Sequence, residues 1–237
     1  MHIHELTQHN TTLWISDHVR ENFREEWFDC EQNNLSASDS QWGSGRQSVS
    51  RLNIEGHNLI RRHYCRGGMP ARLTKDKFIF RNLKSSRPCK EMHLLQVMWG
   101  LGLPTPEPMA ARCIVTGMTY TADIIVREIE NAKTLAQTLT NQPLQDDVWG
   151  KIGNVIRRLH SHDIQHRDLN ADNILINETG EIFIIDFDGC SQKKYTETWG
   201  VAGLDRLNRS LRKFKNKNSL FNFTEEDFEE LVKGYRD

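Results

Sequence analysis

The sequence predicts an α+β fold in two lobes, a strand-rich amino-terminal lobe over residues 1–126 and a mainly helical carboxy-terminal lobe over residues 127–237. Three observations predict it: short strand-like runs fill the first half, amphipathic helical periodicity takes over in the second, and 237 residues suffice for two packed apolar layers. In order, Ser36–Gly45 is a loop by its Ser, Gly and Asp content, and Ser48–Ile54 and Asn58–Tyr64 are strands, the second ending at the turn Arg66-Gly67-Gly68. Pro88–Trp99 is a helix with Met92, Leu95, Val97, Met98 and Trp99 at helical spacing, stopped by Gly100, Gly102, Pro104 and Pro106. Cys113–Val115 and Ala122–Ile129 form a strand pair through Thr116-Gly117-Met118, and helical patterns follow at Thr134–Leu139 and Asp146–His160. Ile174–Ile176 and Ile182–Ile185 read as a hairpin through Asn177–Gly180. Leu204–Leu220 closes the series, with Leu204, Leu207, Leu211 and Phe214 on one helical face and six Lys or Arg residues around it.

Composition excludes several classes. Lys and Arg (31) nearly balance Asp and Glu (32), so net charge gives no argument for a nucleic-acid partner, and no protein partner is evident. Cys30, Cys65, Cys89, Cys113 and Cys190 are odd in number, scattered and never spaced C-x-x-C, which argues against a disulfide framework or a zinc site and fits a reducing cytosol. Residues 1–10 lack the basic start and apolar core of a secretory signal, and no apolar run reaches bilayer length.

The chemistry is concentrated in two short stretches. His166-Arg167-Asp168-Leu169 is followed by Asn173, and the hairpin after it leads into Asp186-Phe187-Asp188. This order, one base and two oxygen ligands for magnesium, is that of a protein-kinase-like phosphotransferase using ATP and Mg2+. Asp168 is assigned as the base that accepts the proton of an incoming hydroxyl; Asn173 and Asp186 are assigned to the metal. His166 and Arg167 read as scaffolding. Three departures matter: Asp188 stands where Gly normally follows Asp-Phe, adding a carboxylate near the metal or altering the turn; Asn170 stands where protein Ser/Thr kinases usually have Lys; and no A-P-E signature follows. The last two argue for a small-molecule or glycolipid acceptor over a protein.

Upstream, a cation must anchor nucleotide phosphates and a carboxylate must hold that cation. Glu91, on the Pro88–Trp99 helix, is the natural partner, with a solvated helix-start Glu as the competing reading. No V-A-I-K is present; Leu59-Ile60-Arg61-Arg62 takes its place, with Arg62 the first choice and Arg61 the second, since strand alternation lets only one face the nucleotide. Gly43 and Gly45 either cover the phosphates or form an ordinary turn. Glu128 opens a segment to Asn131 placed where an interlobe hinge would hold adenine by backbone groups.

With these residues in place, the chain resembles the 3-deoxy-D-manno-octulosonic acid (Kdo) kinases of lipopolysaccharide core assembly, relatives of the heptose kinases. The likeness runs through Arg62-His63-Tyr64 with Arg66-Gly67-Gly68, Gly102-Leu103-Pro104 with Pro106 and Pro108, His166–Asn173, and Asp186-Phe187-Asp188. It implies ATP-dependent phosphorylation of a Kdo hydroxyl, typically the 4-hydroxyl, on a lipid A precursor at the cytoplasmic face of a Gram-negative inner membrane, with nucleotide and magnesium bound between the lobes. Arg66, Arg72, Lys75, Lys193 and Lys194 are acceptor-side cations on this reading. The Leu204–Leu220 helix either rests on an anionic bilayer or packs its apolar face into the core. Competing functions are a kinase for another sugar, an aminoglycoside or a protein, and a nucleotide-binding pseudokinase scaffold.

Overall fold

The computed structural model describes residues 1–29, 48–65 and 76–237. Gly43 and Gly45, and the cations Arg66, Arg72 and Lys75, lie outside the described residues. The chain forms two compact units, one of Met1–Leu101 with Pro106–Glu128 and one of Gly102–Thr105 with Ile129–Asp237.

The first unit is built on a sheet of β1 (Ile3–Gln8), β2 (Thr11–Ser16), β3 (Ser48–Ile54), β4 (His57–His63), β5 (Phe78–Ile79), β6 (Pro108–Thr116) and β7 (Thr119–Arg127). Their order is β1-β2-β6-β7-β4-β3, with β5 pairing β7, and all pairings are antiparallel. Register decides which side chains share a face. Arg61 pairs with Ile125 and Ile125 with Ala110, so Leu59, Arg61, Ile125 and Ala110 lie on one side, while Ile60 and Arg62 lie on the other. The first side meets Val19, Trp27 and Phe28 in an apolar core that also takes Ile15, Leu52 and Met109. Helix α1 (Arg87–Gly100) packs on β6 and β7, burying Met92, Leu95 and Met98. Its Pro at the first turn needs no N–H partner there, which suits a helix start.

The β1–β2 hairpin was absent from the sequence reading. The β1 strand is exposed beyond its first residues, so no alternation marks it. The strand expected at Cys113–Val115 is longer, starting at Pro108, because Met109 to Cys113 are buried without alternation.

The second unit contains a sheet of β8 (Ala132–Thr134), β10 (Ile174–Asn177) and β11 (Ile182–Ile184) in the order β11-β10-β8, and a pair of β9 (Ile164–Gln165) with β12 (Ser191–Gln192). Its helices are α2 (Leu135–Asn141), α3 (Asp146–Ser161), α4 (Glu197–Lys217) and α5 (Glu225–Arg236). Thr134 caps α2 in a reciprocal arrangement with Gln137, and Thr224 does the same for α5 with Asp227. Helices α3 and α5 approach until backbones touch: a Cβ on Gly153 would overlap the Leu231 carbonyl, and one on Gly234 would overlap Gly150. Only glycine permits this approach.

Helix α4 begins seven residues before the expected Leu204. Leu204, Leu207 and Leu211 are buried and Phe214 stacks on Phe221, so the apolar face is used inside the unit, while Arg209, Arg212, Lys213 and Lys217 are exposed. The core-packing alternative for this helix is therefore the one realised.

His160, 4% exposed at the end of α3, bonds the Tyr235 hydroxyl through Nδ1 at 2.7 Å and sits against Trp199. Burial, with a smaller contribution from the nearby His166, lowers its pKa from 6.5 to about 4. The unfolded chain takes up this proton first, so stability is highest above pH 6.5 and falls as pH drops toward 4. The expected loss is on the order of 3 kcal/mol. Urea unfolding across that window should show a shallower acid loss in His160→Gln than in the parent chain; an identical loss in both would contradict this.

Candidate active site

The loop between β9 and β10 is fixed from within. Leu169 and Ala171 are buried anchors, and the Ala171 carbonyl accepts from Ala136 N–H at 3.0 Å. Asn170 organises the turn: its Oδ1 accepts from the N–H groups of Asp172 (2.8 Å) and Asn173 (3.2 Å), and its Nδ2 donates to the Asp168 carbonyl at 3.0 Å. The Asn173 Nδ2 donates to that same carbonyl at 2.9 Å. With its nitrogen so committed, Asn173 keeps its side-chain oxygen for another partner. These two amides pin the backbone of Asp168 while its carboxylate stays 65% exposed.

One residue ties this loop to the turn that follows the hairpin. Ile185 donates its N–H to the Asn173 carbonyl at 3.0 Å, and its own carbonyl accepts from His166 Nε2 at 3.0 Å. Asp186 comes next in the chain. Asp168, Asn173 and Asp186 are thereby brought together within the second unit. His166 is buried and edge-on to Phe187 at 5.0 Å; burial lowers its pKa, so the ring is neutral, with Nε2 carrying the proton. Its role is to hold Ile185.

Asp186 has φ 63°, a left-handed conformation that costs a non-glycine residue free energy. Gly189 has φ 71°, and Cys190 N–H returns to the Phe187 carbonyl at 3.0 Å. Asp188 stands where Gly normally follows Asp-Phe, and the next residue, Gly189, supplies the left-handed position in this turn. Asn tolerates the left-handed region nearly as well as Asp. Asp186→Asn should therefore fold normally, with turnover about 10²–10³-fold lower because one anionic oxygen is gone. A steady-state rate within threefold of the parent would remove Asp186 from the site.

In the first unit, Arg62 is ion-paired with Glu91 of α1, and the Tyr64 hydroxyl donates to the other Glu91 oxygen at 2.7 Å. Glu91 is 4% exposed, so the solvated helix-start reading does not hold. Arg61 lies on the opposite side of β4, bonding Asp123 at 2.8 Å. Burial raises the pKa of Asp123, but His63, Arg61 and Arg112 outweigh it and hold the carboxyl below its ordinary value. This settles the geometry between the two arginines: Arg62 faces the helix carboxylate and Arg61 belongs to a separate buried charge cluster. The Glu128 carboxylate is ion-paired with Arg51, and its N–H donates to the Asn58 carbonyl at 2.9 Å. Lys193 and Lys194 are exposed. Sequence reasoning missed Tyr64 as a second ligand of Glu91 and Arg206, whose Nη1 stands 3.8 Å from Asp168 Oδ1. The two-residue separation of Arg62, in β4, and Tyr64, just past its end, was the available signal for the first; nothing singles Arg206 out from the other cations of its helix.

A strand-rich unit with a buried Arg–Glu pair between strand and helix, and a second unit in which Ile185 ties the Asp168–Asn173 loop to the turn at Asp186, fit a kinase-like phosphotransferase that acts on a hydroxyl group. The family described as "Lipopolysaccharide kinase (Kdo/WaaP) family" matches residues 31–235. The chain belongs to this family. A protein of Haemophilus influenzae named 3-deoxy-D-manno-octulosonic acid kinase is 40% identical over 185 residues, 76% of each chain. Similar proteins with the same name from Vibrio parahaemolyticus and Photobacterium profundum are each 32% identical, over 97% and 98% of this chain and 96% and 97% of their own.

Proposed function

We propose that this chain transfers the γ-phosphoryl group of ATP to a hydroxyl of Kdo, the 4-hydroxyl, on a lipid A precursor during lipopolysaccharide core synthesis. The observation that carries this reading is the Ile185 bridge, which gathers Asp168, Asn173 and Asp186, in a chain whose relatives are named Kdo kinases. In the reaction, the acceptor oxygen forms a bond to the γ-phosphorus as the bond to the bridging oxygen of ADP breaks. Asp168 accepts the hydroxyl proton late in the transfer, so an ordinary carboxylate suffices. Its pinned backbone and exposed carboxylate suit a group that must meet an acceptor arriving from outside the protein.

The donor set fits magnesium. Asn173 offers an amide oxygen and Asp186 a carboxylate, both hard ligands, and among the described residues no cluster of three or more His, Cys, Asp or Glu forms an all-protein metal cage. Two protein oxygens completed by phosphate and water are what magnesium favours. When bound, the ion neutralises charge that spreads over the transferring phosphoryl group. Arg62, held by Glu91, is assigned to nucleotide phosphates, and Glu128–Asn131 to the adenine.

Among the described residues no helix is long and apolar enough to cross a membrane. A peripheral position on the cytoplasmic face of the inner membrane is the location we assign, on the strength of relatives named Kdo kinases. The test offers purified protein and labelled ATP three acceptors: a Kdo-lipid A precursor, the same precursor lacking Kdo, and a generic protein. Label on the Kdo-bearing lipid alone is the expected result; label on protein alone would overturn the assignment.

A further inference from the structure

The loop carries Asn170 where protein Ser/Thr kinases usually have Lys, and the amide there is engaged in holding the loop. A cation nevertheless stands at the base. Arg206 reaches it from α4, with Nη1 3.8 Å from Asp168 Oδ1. The helix is held to the loop beside it: Leu207 is fully buried, and Ser210 Oγ accepts the Ala171 N–H at 3.2 Å. Arg206 and Ser210 are one helical turn apart and so share the face toward the loop.

The pair is not a structural staple. Its side chains are 49% and 65% exposed, and an exposed pair at this distance contributes at most about 1 kcal/mol. A contact outside hydrogen-bond range also leaves the guanidinium fork, with its five N–H donors, for a better-matched anion. Asp168 requires the acceptor hydroxyl at about 2.6–3.2 Å, so an anionic group close to that hydroxyl in the acceptor falls within reach of Arg206.

We propose that Arg206 is the acceptor-binding residue that sets specificity for a sugar acid, its fork gripping the acceptor carboxylate while Asp168 receives the neighbouring hydroxyl. The assignment rests on the Kdo-kinase reading and deepens it. Arginine matches a carboxylate with two parallel hydrogen bonds, which orients the ring as well as holding it. In Kdo the carboxylate is borne on the ring carbon two positions from the one carrying the 4-hydroxyl, a span that suits two protein groups standing this close. A neutral acceptor loses this grip, so the site discriminates by charge and not by ring shape alone.

The experiment compares the full chain with Arg206→Gln and Arg206→Lys on two acceptors, the Kdo-lipid A precursor and its Kdo methyl ester. With the acid, Arg206→Gln should raise acceptor KM by about 10–100-fold and leave KM for ATP unchanged. With the ester, the parent chain should already be weak and Arg206→Gln should lose little more. Arg206→Lys should recover part of the acid preference as a point charge without the fork. Equal losses on both acceptors would place Arg206 on the phosphoryl group and overturn the assignment, as would a raised KM for ATP or no change at all. Failure of the parent chain to phosphorylate the acid acceptor would instead overturn the kinase reading and this assignment with it; thermal midpoints within 2 °C, about the shift from a surface substitution, establish that the variants are folded.

Discussion

Asp168→Ala is expected to lower kcat by about 10²–10⁴-fold while leaving the fold and nucleotide affinity near those of the parent chain. The two consequences separate because of how the residue is held. Its backbone carbonyl is bound by Asn170 and Asn173, which the substitution leaves in place. Among the described residues its side chain makes a loose, exposed pair with Arg206, so stability should change by less than about 1 kcal/mol. Stopped assays with labelled ATP measure the first and nucleotide titration the second. Near-normal turnover would show that another group accepts the proton.

The second large effect concerns Arg62. Arg62→Met removes a cation paired with the buried Glu91, and breaking a buried pair costs about 3–5 kcal/mol, the lower figure applying here because the Tyr64 hydroxyl still donates to Glu91. A double variant, Arg62→Met with Glu91→Gln, removes both charges and keeps an acceptor for Tyr64, so most of the stability should return. Activity should not return with it. If Arg62 anchors phosphates, kcat/KM for ATP stays about 10–100-fold down in the refolded double variant, the loss of a charge-assisted contact. Full recovery would make the pair purely structural. Urea unfolding and ATP kinetics on the same preparations distinguish these outcomes.

The pieces legible in the sequence were those whose residues are adjacent or regularly spaced. The His166–Asn173 run and Asp186-Phe187-Asp188 carry their chemistry in contiguous order, and the β3 boundaries, the α1 and α3 helices and the β10–β11 hairpin follow from local periodicity and turn residues. Arg62 was the first choice over Arg61 from sequence, but which of them meets Glu91 needed the strand's partners, because alternation says that two residues face apart without saying which way each faces. Helix α5 went unseen because its sequence is dominated by charge and only Leu231 is buried; the Thr224–Asp227 capping pair was its one clear signal. β9 and β12 are two residues each, below any periodicity. Arg206 was hidden because its significance lies in a tertiary packing of α4 on the loop that no spacing encodes.

A crystal structure of the full chain with magnesium and a slowly hydrolysed ATP analogue tests the central claim most directly. It should show one magnesium at about 2.0–2.1 Å from Asn173 Oδ1 and an Asp186 carboxylate oxygen, completed by phosphate oxygens, with the Asp168 carboxylate toward the γ-phosphorus. A nucleotide whose metal sits on other residues, with Asn173 and Asp186 making no contact to it, would contradict the account.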